Sequence, residues 1–270
     1  MKALITGASS GLGRDMAHTL SDKGYDIIAV ARREDRLLAL KAELKTEVEI
    51  VTLDVSDTAE CMMLAKYAPE VDVFINNAGF GVFGEFSSND LDRELEMIDT
   101  NVKAVHILTK LFLKEFEKRN SGYILNVASL AAFFPGPLFG GYYASKSYVL
   151  RLTQAIAEEL RKNRSNVSIS ALCPGPVHTE FGKVARVNFG NGTSKAGKKV
   201  VLTSQDVAEY AIKKMFAKKQ VIIPGGLMKL AVALRHLLSD KVLAKIVYLI
   251  QSKKCVIKEA VAFSADRSKA

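Results

Sequence analysis

The sequence has little with which to build a covalent or metal-centred scaffold. Its three cysteines (Cys61, Cys173, Cys255) are scattered and odd in number, so no disulfide framework is implied. The four histidines (His18, His106, His178, His236) show no metal-ligand spacing, and no metal site is expected. No apolar run approaches the length of a bilayer span. Internal repeats and low-complexity linkers are missing too. Met1-Lys2 leads straight into a strand-like Ala3-Leu4-Ile5-Thr6, leaving no room for a signal or transit peptide, so a cytoplasmic protein is expected.

What is present is ordinary globular material, 270 residues with 49% hydrophobic and 25% charged side chains. That length suits one large α/β domain rather than two complete ones. The net charge of +9 is unevenly spread. Residues 1–181 carry 20 Lys and Arg against 24 Asp and Glu, whereas residues 182–270 carry 18 against 5. Any account of the positive charge is therefore an account of the C-terminal third.

The chain alternates short apolar runs with helical patterns. The first run is followed at once by Thr6-Gly7-Ala8-Ser9-Ser10-Gly11-Leu12-Gly13 and then by a helix through Leu20. Strand, glycine-rich turn and helix in that order aim backbone N–H groups of a positive helix end at a phosphate. Gly7 suits the tight turn, Gly11 the close approach of a cofactor, and Gly13 the packing of helix on strand. Ser9, Ser10 and Leu12 complete this dinucleotide-binding turn.

The second strand, Asp26–Ala31, is followed by Arg32-Arg33. An acid at this strand end would accept from the adenosine ribose hydroxyls. A guanidinium suits a 2′-phosphate instead, so NADP(H) is expected over NAD(H). Asp54 and Val55 end the third strand (48–53), where Asp54 either meets the adenine edge or caps the next helix, with Ser56, Asp57 and Thr58 as rival caps. The fourth strand leads into Asn76-Asn77-Ala78-Gly79, expected to flank the cofactor. A long helical stretch from Asn89 to Arg119, one helix or two with a bend, carries Asn101, a weak helix former that either bonds a water or backbone group near the site or is solvated.

The fifth strand (122–127) delivers Ser129, whose hydroxyl is placed to bond a substrate oxygen. A helix from Gly141 to Lys162 carries Tyr142 and Lys146 one turn apart on one face. An ammonium beside a phenol stabilises the phenolate and draws its pKa down from about 10. Together these side chains make a site for moving a proton on or off a carbonyl or alcohol oxygen. The sixth strand (167–172) ends in Cys173-Pro174-Gly175-Pro176-Val177-His178-Thr179, where Pro174, Gly175, Val177 and Thr179 are placed to line a nicotinamide pocket. Residues 178–200 lack apolar periodicity and read as a substrate lid. A helix from Ser204 to Phe216 and a strand from Lys219 to Ile223 complete the pattern. The fold class is α/β, a Rossmann-like doubly wound parallel sheet of about seven strands with helices on both faces, followed by a helical C-terminal tail.

Thr6-Gly7-x-x-x-Gly11-x-Gly13, Asn76-Asn77-Ala78-Gly79, Asn101, Ser129, Tyr142-x-x-x-Lys146 and Pro174-Gly175 together resemble the short-chain dehydrogenase/reductase family in its compact single-domain form. The resemblance covers roughly residues 2–223 and thins beyond, where Pro224-Gly225-Gly226-Leu227 and the tail look nearest the ketoacyl and carbonyl reductase branch. It implies that Tyr142 is the general acid/base and that Lys146 lowers its pKa and contacts the nicotinamide ribose. Ser129 would orient the carbonyl, and Asn101 would hold a proton-relay water. The implied reaction is hydride exchange between NADP(H) and a ketone, aldehyde or alcohol, in a homodimer or homotetramer. Two rivals use the same scaffold: an epimerase or dehydratase, and a non-catalytic NADP-binding regulator. The intact Ser-Tyr-Lys set argues against the regulator, since binding alone has no use for it.

Leu130, Phe133, Phe134, Phe139 and the 178–200 segment suggest an apolar substrate pocket. Two units are expected, a cofactor-binding and catalytic domain over 1–225 and a basic helical extension over 226–270 packed on it. In the extension Leu230, Leu234 and Leu238 repeat at helical spacing, and Leu243, Ile246, Val247 and Ile250 form the apolar face of a second helix carrying Lys241 and Lys245. The bland reading is two helices packed on the domain or on another subunit. Attraction of an acyl-CoA or carrier-protein substrate is a second reading, and peripheral contact with an anionic membrane a third. Nucleic acid is not expected, because no recognition motif accompanies the charge.

Overall fold

A computed structural model describes residues 1–185, 187 and 202–253. In chain order the elements are β1 (Lys2–Thr6), α1 (Gly11–Ser21), β2 (Asp26–Ala31), α2 (Glu34–Glu43), β3 (Val48–Thr52), α3 (Thr58–Met63), β4 (Val73–Asn76), α4 (Leu91–Ile98), α5 (Val105–Lys118), β5 (Tyr123–Val127), α6 (Gly140–Lys162), β6 (Ser168–Leu172), β7 (Val177–His178), α7 (Phe181–Val184), β8 (Leu202–Thr203), α8 (Ser204–Phe216), β9 (Val221–Ile222), α9 (Gly226–Leu234) and α10 (Asp240–Gln251). Seven strands form one parallel sheet in the order β3-β2-β1-β4-β5-β6-β9, as the alternating pattern requires. The small β7–β8 pairing was not legible in the sequence, because two-residue strands carry no periodicity. The part of the 178–200 lid beyond residue 187 lies outside the described residues.

Helices cover both faces of the sheet, which is why its strands are near-continuous apolar runs. On one face Met16, Leu20, Leu37, Leu40, Ile212 and Met215 from α1, α2 and α8 pack on Ala3, Ile5 and Ile27. On the other, Phe74 stacks on Phe112 with ring centroids 4.0 Å apart, and Leu108, Phe116 and Leu64 join them. The strand order reverses between β1 and β4. In open parallel sheets a ligand crevice opens at such a point, beyond the carboxyl ends of the strands.

Hydrogen bonds from the next strand pin the carboxyl end of β1. Asn77 donates from its backbone N–H to the Thr6 hydroxyl at 3.0 Å, and its side-chain amide reaches the Thr6 carbonyl at 2.9 Å. The Ala78 N–H adds a bond to the same hydroxyl at 3.1 Å. The helical stretch expected across 89–119 is two helices, as the allowance for a bend anticipated, joined by a π-helical turn, Asp99–Ala104, with Asn101 inside it. The local widening accommodates a residue whose side chain leaves the helix to bond elsewhere. Of the rival caps after β3, Asp57 is the one used, accepting from the Glu60 N–H at 2.9 Å.

The tail forms two helices, as expected, but the first presents a different face. Leu230, Leu234 and Leu238 are 53%, 47% and 44% exposed instead of packed inward. It is Met228, Val232 and Arg235 that meet the domain: Met228 lies against Gly175, Val232 packs beside Phe133, and Arg235 donates to the Phe133 carbonyl at 3.0 Å. The leucine spacing marks an apolar stripe, but spacing alone does not say which stripe the domain covers.

Candidate active site

A cavity of about 770 Å³ opens along the carboxyl ends of the sheet strands. The glycine-rich turn forms its floor. Gly7 has φ +67° and Gly11 φ +54°, backbone that favours glycine. A Cβ on Gly11 would stand 3.0 Å from a Thr179 methyl. Gly13 does not reach the cavity; a Cβ there would collide with the Gly7 carbonyl oxygen and sit 2.5 Å from the Asn77 amide. Its role is packing, as its position predicted. The turn leads into α1, so free N–H groups and the positive end of the helix dipole face the space above it.

The two arginines after β2 part company. Arg33 bends over the turn and donates to the Ser9 and Ser10 hydroxyls at 3.1 and 3.0 Å. Arg32 turns away to Asp54 and Glu96, each at 3.2 Å. Burial raises the Asp54 pKa, but bonds from the Ser56 N–H and hydroxyl and from Arg32 outweigh it, and the carboxyl titrates below its usual range. Glu180, which sequence reasoning missed, bridges Arg33 at 3.1 Å and Arg36 at 2.7 Å. A carboxylate thus holds two guanidiniums at the mouth of the cavity. No sequence signal identified it, because the pairing spans 147 residues.

At the opposite wall lie Ser129, Tyr142 and Lys146. The Tyr142 ring stacks on Phe139 with centroids 4.6 Å apart and abuts Phe181 at 5.2 Å. Burial raises the Tyr142 pKa well above that of a free phenol, and the neighbouring Ser129 hydroxyl only partly offsets the rise. This overturns the expectation of a lowered value. Lys146 Nζ donates to the Val127 carbonyl at 2.9 Å and lies 5.9 Å from the Tyr142 ring centroid. Its own pKa is pulled down to about 8, chiefly by burial. Both side chains sit on the inner face of α6, so desolvation, invisible in a four-residue spacing, dominates the pair.

The depressed lysine predicts a pH effect on stability. Unfolded, its ammonium holds a proton to an ordinary value near 10.5, but folded only to about 8. Between those values the unfolded state binds more protons, so stability rises with pH across that window. Lys146→Met should flatten the rise in melting temperature between about pH 8 and 10 relative to the parent. Parallel curves would show that Lys146 is not desolvated as described.

Asn101 is fully buried and does not line the cavity. Its amide donates to the Phe80 carbonyl at 2.8 Å and to Ser145 Oγ at 3.1 Å, and its Oδ1 accepts from the Phe80 N–H at 3.1 Å. Both amide hydrogens are used, so the side chain clamps the 79–80 backbone to α6 instead of presenting itself to a relay water. A Cβ on Gly79 would sit 2.8 Å from Asn101 Oδ1 and 3.1 Å from Lys146 Nζ, so that clamp needs glycine.

Asn76 is buried and donates to the Val105 carbonyl at 3.3 Å instead of flanking the cavity, whereas the other residues expected at the site line it: Ser9, Ser10 and Leu12 of the turn, Val55, Ala78, and Pro174, Gly175, Val177 and Thr179 after β6 among them. Leu130, Phe134 and Phe139 line it as anticipated, whereas Phe133 faces the core. Sequence reasoning missed the contribution of the tail. Met228 and Ala231 of α9 and Leu243, Ile246, Val247 and Ile250 of α10 close the apolar end. Gln251 Nε2 donates to the Tyr143 hydroxyl at 2.8 Å and ties α10 to α6.

The residues present fit a nicotinamide dinucleotide: a turn that admits no side chain, N–H groups at a helix start, and a guanidinium over two hydroxyls. Solved structures of the same fold include a short-chain dehydrogenase from Sphingobium yanoikuyae in complex with NADPH, 26% identical, covering 96% of this chain and 98% of its own, with a TM-score of 0.74. Another is a short-chain dehydrogenase/reductase from Burkholderia phymatum in complex with NAD, 28% identical, covering 87% of this chain and 92% of its own, with a TM-score of 0.77. Among curated proteins, the NADP-dependent 3-hydroxy acid dehydrogenase YdfG of Salmonella typhi is 34% identical over 219 residues, 77% of this chain and 86% of its own length. The model of the short chain dehydrogenase family matches residues 1–188, well over half of the sequence. The chain therefore belongs to the short-chain dehydrogenase/reductase family of oxidoreductases.

Proposed function

We propose that the chain is an NADP(H)-dependent oxidoreductase interconverting an apolar ketone or aldehyde and its alcohol. The observation that carries this reading is the buried Tyr142 phenol beside the half-buried Ser129 hydroxyl, in the same cavity as the glycine-rich turn. Two hydroxyls at one point of an otherwise apolar wall suit a single carbonyl oxygen. Ser129 positions that oxygen, and Tyr142 transfers the proton.

The Gly7–Leu12 turn would hold the cofactor's pyrophosphate, Arg33 with Ser9 and Ser10 its 2′-phosphate, Asp54 and Val55 its adenine side, and Lys146 its nicotinamide ribose. When bound, the nicotinamide supplies the hydride donor or acceptor and, oxidised, a positive charge near the phenol. Tyr142 carries its proton at neutral pH, as carbonyl reduction needs, but burial makes it a weaker acid, and the positive charge of an oxidised nicotinamide would draw its pKa back down. Phe134, Phe139, Phe181, Leu243 and Ile250 leave little to pair with a charged substrate, which favours an apolar one. The NADP named for the Salmonella relative and the NADPH bound by the Sphingobium neighbour agree with the arginine at the turn.

The test is oxidation of NADPH and of NADH against a panel of apolar and polar ketones and aldehydes. Turnover should favour NADPH and apolar carbonyls; no turnover with any carbonyl would overturn the reading. Arg33→Ala should raise the KM for NADPH about ten- to a hundredfold, the worth of a charge-assisted bond, and leave NADH nearly unchanged. Glu180→Gln should act in the opposite sense and lower the KM for NADPH, since a carboxylate on Arg33 competes with a phosphate. Equal effects on both cofactors would move the phosphate site elsewhere.

A further inference from the structure

We propose that the outer face of α9 and α10 is a docking surface for an anionic lipid bilayer, with the apolar mouth of the cavity turned toward it. Ten large apolar side chains between Leu227 and Ile250 are more than two-fifths exposed, among them Leu237 at 77% and Leu249 at 61%. On α9, Leu227, Leu230 and Leu234 recur at helical spacing away from the face that packs on the domain. On α10 the face turned to the cavity is Leu243, Ile246, Val247, Ile250 and Gln251, and the outward apolar side chains are Val242, Tyr248 and Leu249, with Lys241 and Lys245 among them. A continuous apolar patch of this kind on a monomer marks an interaction surface.

Charge selects the occupant. Between Leu227 and Gln251 the cations are Lys229, Arg235, Lys241 and Lys245, and the only acid is Asp240. A second copy seated on this face would bring like charges together over an apolar contact, whereas anionic headgroups neutralise the lysines while the leucines enter the acyl boundary. No helix among the described residues is long and apolar enough to cross a membrane, so these helices would lie in the surface. Ala231, Ile246 and Ile250 line the cavity and remain solvent-exposed, bordering the outer patch at its mouth. The apolar surface is therefore continuous from the outer patch to the space beside Tyr142, and a carbonyl-bearing lipid could move along it without crossing water. That last consequence rests on the proposed reaction; the docking surface does not.

The test is flotation of the full chain with vesicles of phosphatidylcholine alone and with vesicles containing about one-third phosphatidylglycerol, at about 0.1 and 0.5 M salt. The protein should float with the anionic vesicles, less at high salt and far less with the neutral ones. Lys241→Gln with Lys245→Gln should weaken that binding about tenfold or more, and Leu237→Gln with Leu249→Gln by a similar factor. Unchanged melting temperatures would show that both variants fold. Absence of flotation, or flotation indifferent to lipid charge and salt, would overturn the proposal. So would a self-associated species without lipid affinity that the leucine variant dissociates, which assigns the face to a second copy. Because vesicle binding needs no turnover, it fails or succeeds independently of the proposed reaction.

Discussion

Tyr142→Phe should leave a folded, cofactor-binding protein whose kcat/KM for carbonyl reduction falls by about three orders of magnitude, within the range a positioned general acid contributes. The variant keeps the ring that Phe139 stacks on and Phe181 abuts, so packing of the pocket is preserved. What it loses is the hydroxyl beside Ser129 that transfers the proton in the proposed reaction. In the proposed reading the cofactor would be held mostly from the other wall, so NADPH affinity should change by less than about threefold, under 0.7 kcal/mol. Tyr143→Phe provides the contrast. Its hydroxyl bonds Gln251 at 2.8 Å and fixes α10 over the pocket, so its loss should raise KM with kcat little changed. Adjacent tyrosines then separate chemistry from pocket shape. A large kcat loss in Tyr143→Phe with a mild one in Tyr142→Phe would reassign the acid.

The second large effect is expected at a residue that touches no ligand. Gly13→Ala adds one methyl, and that methyl would meet the Gly7 carbonyl oxygen and the Asn77 amide. Neither neighbour is free to move. The Gly7 backbone is held in its positive-φ turn, and Asn77 is bonded to Thr6 at 2.9 Å. Relief requires α1 to shift off the sheet, at a cost of about 2–4 kcal/mol. For a chain of this size that lowers the melting temperature by roughly 5–15 °C, and the distorted turn should lose most of its cofactor affinity. Gly140→Ala is the control. A Cβ there meets nothing within 4 Å, and alanine is the better helix former, so stability should hold or rise by a few tenths of a kcal/mol. A Gly13→Ala protein as stable as the parent would show that helix and turn do not pack as tightly as described.

Some of this molecule was written locally. The strand–turn–helix beginning at Lys2, the parallel sheet, and the positions of Ser129, Tyr142 and Lys146 follow from short-range rules: apolar periodicity, the backbone freedom of glycine, and the four-residue repeat of a helix. Those rules work where the deciding interactions lie within one turn or one strand.

Other features depended on groups far apart in the chain. Burial, not the neighbouring ammonium, sets the ionisation of Tyr142, because desolvation depends on what the whole fold packs above the site. Glu180 reaches Arg33 across 147 residues, and Asn101 spends its amide on Phe80 and Ser145. Which stripe of α9 meets the domain was equally open, since a helical repeat of leucines states amphipathicity without naming the partner. Sequence by itself determined the architecture and singled out the Ser129, Tyr142 and Lys146 side chains that meet at the cavity, through contacts a few residues long. Tertiary packing alone decided their protonation, the gatekeeping carboxylate and the exposed apolar face, because solvent exclusion and long-range ion pairing are properties of the assembled chain.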